Sequence, residues 1–263
     1  MSTSLRDSLA LPEKQNVNDL DDPDTTLLHA TILKKKVFLQ RLYTEYYQSF
    51  RAALDAPEDA VIVELGSGGG FIKDVMPNAI TSDILPIPGL DQRFDAAAMP
   101  FEPCSIDLIC MINTLHHIPD VTAMLKECTR CLKPGGRVVM VEPANTPFSR
   151  LIYQNLHHEP FDPHSDWSVP EGGPLSSSNQ ALPWIVFKRD RERFETTFPE
   201  LELESMRLHT PLRYMLSGGF TARQMLPGWM YPAAYFLDEV LLRPFHGIVA
   251  LSMTVTLQRV ARP

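Results

Sequence analysis

The chain has 263 residues, 44% hydrophobic and 21% charged, with a formal net charge of −8 at pH 7. That is enough for one α/β domain with its own core and an elaboration, and its average field repels duplex nucleic acid, so no nucleic-acid partner is expected. No run reaches the ~20 apolar residues that span a bilayer, and the polar, acidic start lacks a signal-peptide pattern; a cytoplasmic protein with its four cysteines reduced is expected.

Residues 1–24 read as a leader. Over 25–54 the apolar residues Leu28, Ile32, Val37, Leu39, Leu42, Tyr46 and Phe50 recur at helical spacing, which predicts one or two helices. The basic run Lys34-Lys35-Lys36 lies there, and a second cluster, Lys188, Arg189, Arg191 and Arg193, lies further on. Both are read as solvated helix faces. Residues 60–65 form a short apolar, β-branched run bounded by glycines, a buried strand. Gly66-Ser67-Gly68-Gly69-Gly70 follows, then a predicted helix around 71–76.

Further strands are predicted at 79–82, 106–112 and 137–141, with a helix at 120–132 between the last two and a turn at Gly135-Gly136. Cys128 and Cys131 fall in that helix. No second pair completes a zinc site, so they read as buried helix cysteines. Strands alternating with helices imply right-handed crossovers and a parallel sheet. Beyond residue 142 a short helix (148–156), a helix (184–197), a strand (201–208) and a late edge or antiparallel strand (248–258) are expected.

The strongest local signal is Glu64-Leu65-Gly66-Ser67-Gly68-Gly69-Gly70 after a strand. Glycine permits positive φ and close approach to a ligand, and a nucleotide-like ligand belongs at the carboxyl end of a parallel sheet. The dinucleotide fingerprint fails because Phe71 stands where its last glycine or alanine should be, and no Gly-Lys-Ser/Thr phosphate loop occurs. Glu64 disfavours phosphates and suits a cationic amino-acid ligand.

Three more segments follow in order: Asp83 closing the second strand, Phe94-Asp95-Ala96-Ala97-Ala98-Met99-Pro100-Phe101, and Asn113-Thr114-Leu115-His116-His117-Ile118-Pro119-Asp120 with Leu132-Lys133-Pro134-Gly135-Gly136 beyond it. With the glycine loop, they make the chain resemble class I S-adenosylmethionine-dependent methyltransferases of the type 11 kind, whose core is shared by ubiquinone, menaquinone and sugar methyltransferases. The likeness covers about residues 58–142. It implies a Rossmann-like α/β fold: a seven-stranded, mostly parallel, doubly wound sheet with helices on both faces. It divides the chain into a leader and helical cap (1–57) and a methyltransferase domain (58–263), with acceptor-side insertions at about 143–198 and 209–246.

The resemblance implies S-adenosylmethionine as cofactor, held by Glu64, Gly66, Ser67, Gly68, Gly70, Asp83, Ile84, Asp95, Ala96, Met99 and Asn113. Asp83 offers two acceptor oxygens to a ribose diol, its alternative being a turn aspartate. Asp95 and the Ala96 N–H would meet adenine, sandwiched by Ile84 and Met99. His116 and His117, being adjacent, are expected to point apart, His116 as a wall or a base.

Methylating an oxygen also needs a proton acceptor. Tyr153, His157, His158, Glu159, Asp162, His164 and Asp166 cluster after the fifth strand. Three readings stand: a general base, for which His157, His158, Glu159 and His116 are the catalytic candidates; a divalent-metal site holding a diol, as in some sugar methyltransferases; or a polar surface loop. No metal ligand set is assigned. The apolar stretch 214–245, with Gly218-Gly219 as a hinge, suits core packing or a lid over an aromatic or lipid-like acceptor and allows peripheral contact with a membrane surface. A weaker likeness of the late chain to methyltransferases of polysaccharide assembly implies a lipid-linked sugar. The expected function is methylation of a hydroxyl on a small-molecule, sugar or lipid-linked acceptor. The alternatives are a protein that binds the cofactor without catalysis, and a nicotinamide-dependent oxidoreductase. The sequence is silent on oligomeric state.

Overall fold

The computed structural model describes residues 11, 20–56, 58–157, 159–170 and 172–261. Two helices come first, α1 (Pro23–Lys35) and α2 (Val37–Arg51). The strands are β1 (Ile62–Glu64), β2 (Ile80–Asp83), β3 (Gln92–Arg93), β4 (Ile106–Ile112), β5 (Leu132–Pro143), β6 (Leu201–His209) and β7 (Ser252–Arg259). They form one seven-stranded sheet in the order β3-β2-β1-β4-β5-β7-β6. The pairs from β3 to β5 are parallel, and β7 runs antiparallel to both neighbours. The Rossmann-like, mostly parallel sheet is as expected. Its order reverses between β1 and β4, which opens a crevice at their carboxyl ends.

Period-two alternation divides the core into two layers. Val63, Ile109, Met111, Val138 and Met140 face one way, toward α3 (Val121–Cys131) and the segment carrying Leu182, Phe187 and Phe194. Ile62, Leu108, Cys110, Val139 and Val141 face the other way, toward Leu39, Leu42, Tyr43, Tyr47 and Phe50 of α2. Cys128 and Cys131 are buried on α3, as expected.

The predicted helix at 71–76 is one 3-10 turn, Ile72–Asp74. Phe71 has non-helical backbone (φ −139°), and Met76 precedes Pro77, which disfavours helix there. The face such a helix would cover is filled by α2, whose Tyr47 ring packs edge-on against Phe71 at 5.2 Å between centroids. Gly135-Gly136 bulges within β5 instead of preceding it. The helix expected at 184–197 is broken: a π-turn, Ile185–Arg189, ends at Asp190 before Arg191–Thr197 resumes. Ile248 belongs to a short helix, His246–Val249, and β7 lies inside the sheet while β6 forms the edge.

The segment before β7 is fastened to α2 by charge. Arg213 is 2% exposed. Its guanidinium meets Asp238 at 2.9 Å and Glu239 at 2.6 Å, and it also pairs with Glu45 of α2. Lys36, read as a solvated lysine, is instead buried, its ammonium on the Gly219 and Ala222 carbonyls. It pins the backbone beside the expected Gly218-Gly219 hinge. Lys188 stays exposed, and Arg189, Arg191 and Arg193 pair with Asp190, Glu195 and Asp166.

Removing one partner of a buried ion pair leaves an uncompensated charge, at a cost of about 3–5 kcal/mol. Arg213→Leu is therefore expected to lower unfolding stability by that amount in urea titration. Arg191→Leu, which breaks a half-exposed pair, should change it by less than about 1 kcal/mol.

Candidate functional site

A cavity of about 1040 Å³ opens over the carboxyl ends of β1, β2 and β4. This is the upper end of the ~300–1,000 Å³ usual for small-molecule sites. Glu64 closes β1 at its floor. The side chain is buried, and its Oε2 has no hydrogen-bond partner. Burial pushes its pKa up to about 8, against the lowering effect of hydrogen bonds from Ser67 and Tyr47. Gly66 holds φ +62°, and a Cβ there would sit 2.5 Å from the Thr114 methyl. Gly69 serves a different purpose: a Cβ would lie 2.6 Å from the backbone of Ala30. Helix α1 therefore lies directly on the glycine loop, a contact that the sequence reading, which expected a helical cap over 1–57, did not place. Leu20, Thr26, His29 and Leu33 line the cavity from that side. Asp21 fixes this roof by accepting from the Leu175 N–H (2.6 Å), the Ser176 N–H (3.0 Å) and the Ser176 hydroxyl (2.6 Å).

Most of the expected cofactor residues line this cavity: Glu64, Gly66, Ser67, Gly68, Gly70, Asp83, Ile84, Asp95, Ala96 and Asn113. Asp83 does two things at once. It accepts from the Gly68 N–H at 3.0 Å and the Leu85 N–H at 2.9 Å, so it already shapes the loop as a turn aspartate, and it stands on the cavity wall with further acceptor capacity. Burial raises its pKa. Asp95 is exposed and accepts from the Ala97 N–H. Asn113 adopts φ +51°, a left-handed conformation asparagine tolerates. Met99 departs from expectation: its side chain is buried in the core, outside the cavity lining, while its N–H bonds Glu127. Phe94 and Ile118 line the cavity instead.

The other end of the cavity is polar at its base. Glu142, fully buried at the end of β5, accepts from the Thr114 N–H (2.8 Å), the Leu115 N–H (2.7 Å) and His116 Nδ1 (2.6 Å). His116 and His117 do not diverge as expected. The 3-10 turn Leu115–His117 brings their rings to 4.3 Å between centroids. Their Nε2 atoms approach the Glu159 carboxylate at 3.4 and 3.7 Å. Burial would lower the His116 pKa, but the charges of Glu142 and Glu159 outweigh it and raise it to about 9. His117 is lowered to about 4 by burial and by the charge on His116. Burial would raise Glu159, yet His116 holds it well below the ordinary carboxylate range. His157 reaches Gln180 at 2.5 Å and lies 3.8 Å from Glu159.

The rest of the predicted polar cluster separates. His158 lies outside the described residues. Asp162 turns back on the His164 N–H, His164 is exposed, and Asp166 pairs with Arg193 on the surface. None of these three lines the cavity. Tyr153 does, with its hydroxyl on the Leu251 carbonyl at 2.6 Å. Sequence reading passed over Glu142, Tyr47 and Gln180. The one signal for Glu142 was an acidic residue ending an otherwise apolar strand.

Residues 63–140 match the family described as a methyltransferase domain. The chain is 33% identical over 88 residues to the highly reducing polyketide synthase PKS6 of Gibberella zeae, covering 32% of this chain and 3% of that protein. It is 28% identical over 131 residues to the demethylmenaquinone methyltransferase of Symbiobacterium thermophilum, covering 48% of this chain and 51% of that one. The match thus spans from 3% to about half of these relatives' lengths. The fold is similar to that of geranyl diphosphate C-methyltransferase from Streptomyces coelicolor A3(2), with a TM-score of 0.51, 14% identity, and 84% of this chain and 78% of that one covered.

The residues fit an adenosyl amino acid. An orphaned buried carboxyl oxygen on Glu64 suits its ammonium, and Asp83 suits its ribose. With its pKa raised to about 8 by burial, Glu64 favours the protonated form at neutral pH, so a ligand that prefers the carboxylate must displace that proton. S-adenosylmethionine affinity, measured by calorimetry, should therefore rise with pH by up to about tenfold per unit toward pH 8. It should fall above that as the ligand's amine, with a pKa of about 7.7–8.0, loses its charge. Glu64→Gln should abolish the rising limb. Asp83→Ala should weaken binding roughly 10–100-fold, from the ~1.5–3 kcal/mol of a charged hydrogen bond, with circular dichroism unchanged.

Proposed function

From a class I S-adenosylmethionine-dependent methyltransferase core, to which residues 63–140 belong, we propose that this chain methylates a hydroxyl group on an apolar, ring-bearing or lipid-linked small molecule. One observation carries the proposal: a single cavity joins the glycine loop and Asp83 at one end to His116, His117, His157 and Glu159 at the other. Between them stand apolar and aromatic walls, Ile152, Tyr153, Tyr214, Met215 and Phe220.

The bound cofactor supplies a methyl group activated by its own sulfonium. The chain's contribution is alignment, water exclusion and proton removal. Helix α1 and residues 172–175 line the cavity and would limit the water that reaches the bound donor. Asn113 and Thr114 line the cavity at the donor end, Thr114 against Gly66. At the acceptor end His157 is the proton acceptor in this reading. It lines the cavity and is partly exposed; its Nδ1 accepts from the Gln180 amide (2.5 Å) and the Glu159 N–H (3.3 Å), so an acceptor hydroxyl must take the place of the Gln180 amide to deliver its proton there. Glu159 and His116 complete the catalytic group. The segments 143–198 and 209–246 act as acceptor-side additions to the core.

Apolar character at the mouth favours an apolar acceptor. Ile84, Leu156 and Met225 line the cavity and are 43%, 60% and 46% exposed. In the segment 229–245, Trp229, Phe236, Val240, Leu241 and Phe245 are all more than half exposed, a concentration of exposed apolar side chains in one stretch of chain. A membrane or lipid-carrier surface suits this face. Among the described residues no helix is long and apolar enough to cross a membrane.

Labelled S-adenosylmethionine should methylate members of a panel of phenols, prenylated quinols and lipid-linked sugars. His157→Ala should lower kcat by roughly 10²–10⁴, the usual contribution of a general base, with cofactor affinity unchanged by calorimetry. Wild-type kcat in this variant would remove His157 from the chemistry.

A further inference from the structure

Adjacent histidines seldom share a target, yet both Nε2 atoms of His116 and His117 turn toward one carboxylate, Glu159. One donor atom from each of these three residues lies within 4.8 Å of the others. The opposite ring nitrogens are both held from behind. His117 Nδ1 lies 2.9 Å from the Ser177 carbonyl, and His116 Nδ1 lies 2.6 Å from Glu142. A carbonyl oxygen only accepts, so His117 carries a proton on Nδ1 and points an Nε2 lone pair at Glu159. The His116 ring likewise donates from Nδ1 to a buried carboxylate.

A ring N–H anchored on a carboxylate or carbonyl, with the other nitrogen aimed inward, is how metal-ligating histidines are oriented. The lone pair of His117 and a carboxylate oxygen at 3.7 Å repel each other; the protonated His116 ring beside them offsets this, and a bound cation would do so in its place, displacing the His116 Nε2 proton. Two imidazoles and one carboxylate, with no thiolate, suit a first-row divalent ion. Calcium and magnesium prefer all-oxygen shells. Three protein ligands leave coordination positions open toward the cavity.

We propose that His116, His117 and Glu159 bind one first-row divalent cation whose open positions take the acceptor's hydroxyl oxygen. Cation binding stands alone; the second half rests on the acceptor reading above. Such an ion would fix the oxygen at the cavity's polar end and make its proton easier to remove.

The test is titration of dialysed full-length protein with Co²⁺, followed by visible d–d absorption and by metal content after gel filtration. One equivalent is expected in the wild type. Glu159→Gln and His117→Gln should each weaken binding by at least the ~10–100-fold typical of changes around a metal site. Asp166→Asn, altered on the surface, should bind like the wild type. Retained S-adenosylmethionine binding certifies that the variants are folded. Substoichiometric Co²⁺ in the wild type, or unchanged affinity in both Glu159→Gln and His117→Gln, would overturn the site. Stoichiometric Co²⁺ lost in those variants, with no hydroxyl acceptor turned over, would uphold the ion site and sink the acceptor reading instead. Chelator-insensitive turnover with no Co²⁺ bound would do the reverse.

Discussion

The carboxylate of Glu142 is completely buried, which is costly for a charge unless several donors surround it. Here three converge on it, two consecutive backbone N–H groups and one imidazole. Because β5 is paired on both sides within the sheet, those bonds hold the turn that follows β4. That turn supplies Asn113 and Thr114 to the donor end and His116 and His117 to the acceptor end. Thr114 in turn sits where a side chain on Gly66 would be, so the glycine loop is shaped from below by the same turn. Both ends of the cavity thus depend on one strand-end glutamate.

The second constraint comes from the chain's beginning. Only one 3-10 turn separates the glycine loop from β2, so the sheet face beside β1 has no crossover helix of its own. Helix α2 covers it with Leu39, Leu42, Tyr43, Tyr47 and Phe50. Tyr47 also reaches the loop, accepting from the Phe71 N–H and bonding Glu64. Packing and site construction are therefore inseparable on this face. Helix α1 then closes over the loop, which is why Gly69 tolerates no side chain.

Much of this was legible in the sequence because it is local. The run Ile106 to Ile112 is apolar, β-branched and flanked by polar residues, and it is a strand over those bounds. The glycine loop and Asp83 announced a ligand site through their spacing. The predicted helix after the loop failed because Pro77 shortens it and a distant helix takes its place. Met99 failed because apolar character does not say which way a side chain points. Lys36 looked solvated within a lysine run, yet carbonyls 183 and 186 residues away hold it. The convergence of His116, His117 and Glu159 is set by the Glu142 and Ser177 contacts; an acidic residue closing an apolar strand hinted at the first, and the second has no sequence signature.

Methyl transfer in this chain requires that one cavity have a donor end and an acceptor end. A crystal structure with S-adenosylhomocysteine tests it most directly. The amino-acid portion is expected beside Glu64 and Gly66, the ribose on Asp83, the adenine against Asp95 and Ala96, and the sulfur facing the His116–Glu159 end. Density for the ligand elsewhere, or a sulfur turned away from that end, would contradict it.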